Sequence, residues 1–169
     1  MNRKSDMPAL PPSARVPAPH FPGPGEGKRG RDGYLSYLLR QASAAARLAL
    51  ERSLADLGVT PPQFLALTMI NAYPGLSGAD LARLIFLTPQ TVGVIIGNLE
   101  RFDAIAKTKH PTHGRALQWA LTTKGRKLLS AGRARAHAME ARMTALLPKK
   151  AEPAVRDWLA KLATELTKL

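Results

Sequence analysis

From Tyr34 onward, apolar residues recur at helical spacing. Leu35, Leu38, Leu39, Ala42, Ala45, Ala46, Ala49, Leu50 and Leu54 share one stripe, while Arg40, Arg47 and Arg52 fall off it. The stripe predicts a long first helix ending near Leu57-Gly58, with Gly58 supplying the left-handed residue that closes it. In "TPPQFLALTMINAY", Thr60 stands where a cap is needed, Pro61 in the first helical position, and Gln63 where a capping-box partner reaches back. A second helix therefore starts at Pro61 and stops around Asn71, before the Pro74-Gly75 turn. "LSGADLARLIF" repeats the device with Ser77 and Asp80 and continues through Leu81, Ala82, Leu84 and Ile85 as a short third helix. "LTPQTVGVIIGNLERF" opens a fourth, with Thr88 as cap and Pro89 in the first turn. Its stripe of Val92, Ile95, Ile96 and Leu99 must face inward, which turns Gln90, Thr91, Val94, Asn98 and Arg101 outward.

Beyond Asp103 the period changes. Ile105 to Lys109 and Arg115 to Leu121 read as two short strands, the second alternating Leu117, Trp119 and Leu121 with Gln118 and Ala120. The Pro111-to-Gly114 tip makes them a hairpin. After Thr122 a polar, alanine-rich helix runs to about Leu147 and meets Pro148, and a last helix from about Pro153 gathers Val155, Trp158, Leu159, Leu162, Leu166 and Leu169 on one face. The predicted fold is mainly α with one small β-hairpin. Helix, turn, helix and then a basic hairpin is the order of a winged helix-turn-helix, in which the second helix of the motif enters the DNA major groove.

Charge sharpens this picture. The chain carries 25 Lys plus Arg against 12 Asp plus Glu in 169 residues, a net charge of +13, and this balance favours a polyanionic partner. From Ala104 to Met139 there is no acidic residue and there are eight Lys or Arg, among them Lys107, Lys109, Arg115, Lys124, Arg126 and Lys127. A carboxylate there would repel phosphate, whereas each cation displaces a condensed counterion. Residues 1 to 32 hold seven of the 14 prolines and read as a disordered basic arm, which touches DNA through Arg29 and Arg31 or has no role at all. The apolar runs are far shorter than the roughly 20 residues that span a bilayer, so no membrane partner is expected and the simplest compartment is the cytoplasm. Cysteine is absent, which removes thiol catalysis and Cys-ligated zinc.

The stretch from "GVTPPQF" through "LSGADLARLI…LTPQTVGVIIGNLE" to "LTTKGRKLL" resembles the MarR family of bacterial transcription regulators, from roughly Tyr34 to the C-terminus. The resemblance implies a homodimer built by residues 33–58 and 148–169, a winged helix-turn-helix over 60–122 and a linking helix over 123–147. It further implies a pseudo-palindromic operator in double-stranded DNA and a small effector, aromatic or anionic, that releases a repressor from it. The DNA-binding residues would be Thr88, Pro89, Gln90, Thr91, Val94, Asn98, Arg101, Lys107, Lys109, His113 and Arg115, and the effector residues Tyr34, Tyr37 and Arg40. Two departures stand out. The family's wing usually reads Asp-Arg-Arg, and here it is His113-Gly114-Arg115, so Arg115 lacks its usual carboxylate: either another acceptor holds it or the wing is more mobile. Val94 and Asn98 stand where Arg is common, which shifts base reading toward Gln90, Thr91, a thymine-methyl contact from Val94, and Asn98.

Other chemistries are weaker. His110 and His113 form an H-x-x-H with no carboxylate nearby in sequence, too few ligands for a closed metal site. No glycine-rich phosphate loop, Gly-x-Ser-x-Gly elbow or paired carboxylates point to an enzyme or a cofactor. Arg40 is either a solvated side chain beside interface packing or a carboxylate ligand. The competing class is a basic protein, nucleoid- or RNA-associated, that binds nucleic acid on the same scaffold without reading sequence, favoured by the weakened recognition face of the fourth helix together with the net charge of +13.

Overall fold

The computed structural model describes residues 21–109 and 117–168. They form helices α1 (Leu35–Leu54), α2 (Pro61–Ala72), α3 (Gly78–Leu84) and α4 (Pro89–Arg101), strands β1 (Ile105–Lys109) and β2 (Leu117–Leu121), and helices α5 (Thr123–Thr144) and α6 (Glu152–Leu166). Two compact units divide inside α1, at Ala42 and Ser43.

In the first unit, residues expected to be disordered form turns around a 3-10 helix, Gly27–Arg29. The reason is Arg29. Its guanidinium donates to the Pro22 carbonyl at 2.9 Å and to Gln41 Oε1 at 3.2 Å, while the Gln41 amide donates back to the Arg29 carbonyl at 3.0 Å. Arg29 is thus a pin on α1 and not a free cation of the arm. The residues before 21 lie outside the described ones.

In the second unit the helix punctuation follows the sequence. A 3-10 turn, Ala55–Leu57, closes α1, and Gly58 has φ 68°. Thr60 and Gln63 form a reciprocal capping box on α2, as do Ser77 and Asp80 on α3. Each such cap contributes about 1 kcal/mol by satisfying amides the helix cannot. Thr88 caps α4, its hydroxyl accepting from the Thr91 amide at 3.2 Å. The antiparallel hairpin pairs Ile105 with Leu121, Lys107 with Trp119 and Lys109 with Leu117.

One apolar core joins these elements. Leu54, Leu67, Leu81, Val92, Leu99 and Ile105 are its largest fully buried side chains, each worth about 1.5–3 kcal/mol of transfer. Leu84, the last residue of α3, is exposed, whereas Leu81, Ala82 and Ile85 are buried. The α6 stripe also lacks cover within the protomer: Trp158, Leu159 and Leu166 are all exposed.

The "LTTKG" segment locks α5 to the hairpin. Thr122 donates its amide to the Ala104 carbonyl at 3.1 Å and its hydroxyl to the Asp103 carbonyl at 2.7 Å, and the same hydroxyl accepts from the Gly125 amide at 3.0 Å. A Cβ on Gly125 would lie 1.9 Å from the Ala104 oxygen, so only glycine lets the helix start there.

Candidate nucleic-acid interface

Helix α4 separates two environments. Val92, Ile95, Ile96 and Leu99 are buried, and Gln90, Thr91, Val94 and Arg101 are exposed on the other side, Val94 by 60%. Pro89 sets the first turn and is exposed beside them. The hydroxyls of Thr88 and Thr91 are 2.8 Å apart at the helix start, and Gln90 is exposed between them. At the other end Asn98 is half-buried and accepts a hydrogen bond from Arg101, whose Nε donates to the Gly97 carbonyl at 3.3 Å. Arg101 therefore lies along the helix in the free protein, and Asn98 is already engaged.

Gly93 and Gly97 face open space: a Cβ on either would meet nothing within 4 Å. The room belongs to a groove of about 370 Å³ bordered by Gly78, Gly93, Gly97, Glu100, Lys107 and Trp119. Trp119 ties the hairpin to α4 by donating from its indole nitrogen to Glu100 Oε1 at 3.3 Å, and its ring edge lies 3.7 Å from where a Gly78 Cβ would stand. Lys107 and Lys109 are exposed on β1.

The basic segment divides into two kinds of cation. Lys124 Nζ sits 3.7 Å from the centre of the Phe102 ring, and Arg126 donates to the Leu121 carbonyl at 2.6 Å. These two fasten the foot of α5. Lys107, Lys109 and Lys127 remain exposed on the surface. His110, His113 and Arg115 lie outside the described residues.

The residues expected to serve an effector belong to the first unit and not to the second, which carries this face. Tyr34 directly precedes α1, Tyr37 and Arg40 lie in its first turns, and all three are exposed. Sequence reasoning missed a second cluster altogether. Arg135 on α5 grips Asp56 with two hydrogen bonds of 2.6 and 2.7 Å and donates to the Ser53 carbonyl at 2.7 Å. The Arg135 hydrogen bonds hold the Asp56 carboxyl below its ordinary value. Partners 79 residues apart leave no local signal.

Residues 57–116 match a family model described as MarR family. The HTH-type transcriptional repressor Rv2887 of Mycobacterium tuberculosis is 35% identical over 134 residues, covering 79% of this chain and 96% of that protein. Its solved complex with salicylic acid superposes with a TM-score of 0.64 at 36% identity, over 78% of this chain and 98% of that one. Its complex with DNA gives 0.63 at 35% identity, with the same coverage of 78% and 98%.

Proposed function

The chain belongs to the MarR family, and on that premise we propose that it is a sequence-specific DNA-binding transcription regulator, a homodimeric repressor released from a pseudo-palindromic operator by a small molecule. The observation that carries this reading is the exposed face of α4, capped by Thr88, held rigid by its buried stripe and presented beside the lysines of β1. Gln90 and Thr91 read base edges at the helix start, Val94 meets a thymine methyl, and Asn98 with Arg101 closes the contact at the far end. Lys107 and Lys109, with His113 and Arg115 at the tip, take phosphates or the minor groove. The uncovered apolar stripe of α6 and the exposed Tyr34, Leu35 and Tyr37 support a dimer interface built by the first and last helices. Salicylic acid bound to the mycobacterial relative supports an aromatic acid as effector class. No single helix among the described residues is long and apolar enough to cross a membrane.

Gln90→Ala tests the assignment. Its loss should cost about 1–3 kcal/mol on the preferred duplex and little on random DNA, measured by fluorescence anisotropy. An equal loss on both sequences would remove Gln90 from base reading.

A further inference from the structure

The corner between α3 and α4 carries a residue that the fold does not use. The helix closes on a Schellman pattern, in which the Leu87 amide donates to the Ala82 carbonyl at 3.0 Å and the Phe86 amide to the Arg83 carbonyl at 3.4 Å. This closure puts Phe86 in the left-handed region, at φ 57°. Glycine is the usual residue at such a position, as Gly58 is after the turn that closes α1. A bulky side chain is disfavoured there, and the core offers it no compensation: Phe86 is 90% exposed, more than any other large hydrophobic side chain among the described residues. Its neighbours are anchored. Ile85 is buried and Leu87 packs against the core, so the backbone is fixed on both sides of a ring that stands in solvent. Asp103, the other described non-glycine residue at positive φ, has the short polar side chain that tolerates it. Glycine at position 86 would close α3 with less strain, and an aromatic outlier of this kind marks a surface with a task.

Phe86 precedes the Thr88 cap of α4 by two residues, which keeps their Cα atoms within about 7 Å. The axes of α3 and α4 bend by 106° across this corner. The end of α4 beside it is the one that bears Gln90 and Thr91. A duplex whose major groove, about 12 Å wide, admits that first turn brings its bordering sugar–phosphate strand within reach of the ring.

We propose that Phe86 is a DNA-contact residue, its ring packing on the deoxyribose edge of the strand that borders the groove α4 enters. The inference rests on the proposed placement of α4 against DNA and extends that interface to the α3–α4 corner. A sugar offers C–H groups between the charged phosphates, and a ring that meets them displaces no counterion and reads no base. Phe86 therefore adds affinity that is indifferent to sequence and to salt, whereas the lysines of β1 add affinity that salt removes.

The full chain and its Phe86→Gly, Phe86→Asn and Phe86→Tyr variants test this, by fluorescence anisotropy on a duplex selected from a random library and on a scrambled duplex of equal length, over a range of salt. Phe86→Gly should raise the melting temperature by about 2–4 °C, because it relieves the left-handed backbone. It should nevertheless weaken both duplexes by about ten-fold, with the slope of affinity against salt unchanged. Phe86→Asn, which tolerates the same backbone without a ring, should weaken them alike, and Phe86→Tyr should stay within about two-fold of the unaltered chain. A glycine or asparagine variant that binds both duplexes as tightly as the unaltered chain would overturn the proposal and assign the ring to another partner. A glycine variant that melts lower would overturn it by assigning the ring to the fold, and a changed salt slope would overturn it by showing that the ring acts through a cation. Failure of the regulator reading looks different: the unaltered chain would show no preference for the selected duplex, while the ring-dependent loss on both would still stand.

Discussion

Two pairs of helical glycines do opposite things in this molecule. On α5, a Cβ at Gly125 would strike the Ala104 carbonyl, and one at Gly132 would lie 2.6 Å from the Phe64 ring. There the chain uses glycine so that its own elements can touch. On α4, a Cβ at Gly93 or Gly97 would meet nothing of the described protomer within 4 Å, although a glycine in a helix interior costs about 1 kcal/mol relative to alanine. The first pair is explained by the fold alone. Nothing in the fold requires the second, and the pair lies beside the side chains proposed to meet DNA. A core element is thus recognised by what its neighbours forbid, and a recognition surface by room the fold leaves empty.

The contrast can be broken by substitution. Leu99→Ala, on the buried side of α4, should lower stability by about 2–5 kcal/mol in urea unfolding, because it opens a cavity among side chains packed to crystal density. Gly125→Ala should cost about 1–3 kcal/mol, since the methyl group meets backbone that cannot swing aside. Gly97→Ala reverses the sign: the folded protein should gain about 0.5–1 kcal/mol in the same assay, while its affinity for DNA falls. A stabilised variant with unchanged DNA affinity would leave the open space without a function. The smallest effect concerns pH. Because Arg135 depresses the Asp56 carboxyl below its ordinary 3.8, the pair's contribution is present above that value and is lost as pH falls through the lower folded value. The melting-temperature gap between the unaltered chain and Asp56→Asn should therefore close below about pH 4.

The same division governs what was readable in the sequence. Helix starts were legible because caps are local: Thr60 with Gln63, Ser77 with Asp80, and Thr88 each announce an end within three residues, and the structure places them so. Gly58 announced its left-handed conformation, whereas Phe86, also left-handed at φ 57° and 90% exposed, did not, since an aromatic side chain rarely accepts that backbone. Long-range partnerships were invisible. Charge counting grouped Lys124 and Arg126 with the cations of the wing, but Phe102 and the Leu121 carbonyl occupy them. For Arg29 the sequence leaves open a DNA contact or no role, and it gives no sign of the hydrogen bonds to Pro22 and Gln41. Periodicity placed Gln90, Thr91, Val94 and Arg101 on the outer side of α4, but the half-burial of Asn98 and its pairing with Arg101 needed coordinates.

The central claim is that the face bearing Gln90, Thr91 and Val94 reads a sequence and not merely a polyanion. The most direct test is to select a preferred duplex from a random library and compare it with a scrambled duplex of equal length by fluorescence anisotropy at physiological salt. The account predicts that the selected duplex binds tighter by about 10³ or more, and that raising the salt weakens both while preserving most of the ratio. Equal affinities that collapse together with salt would contradict it and make the protein a non-specific nucleic-acid binder on a winged-helix scaffold.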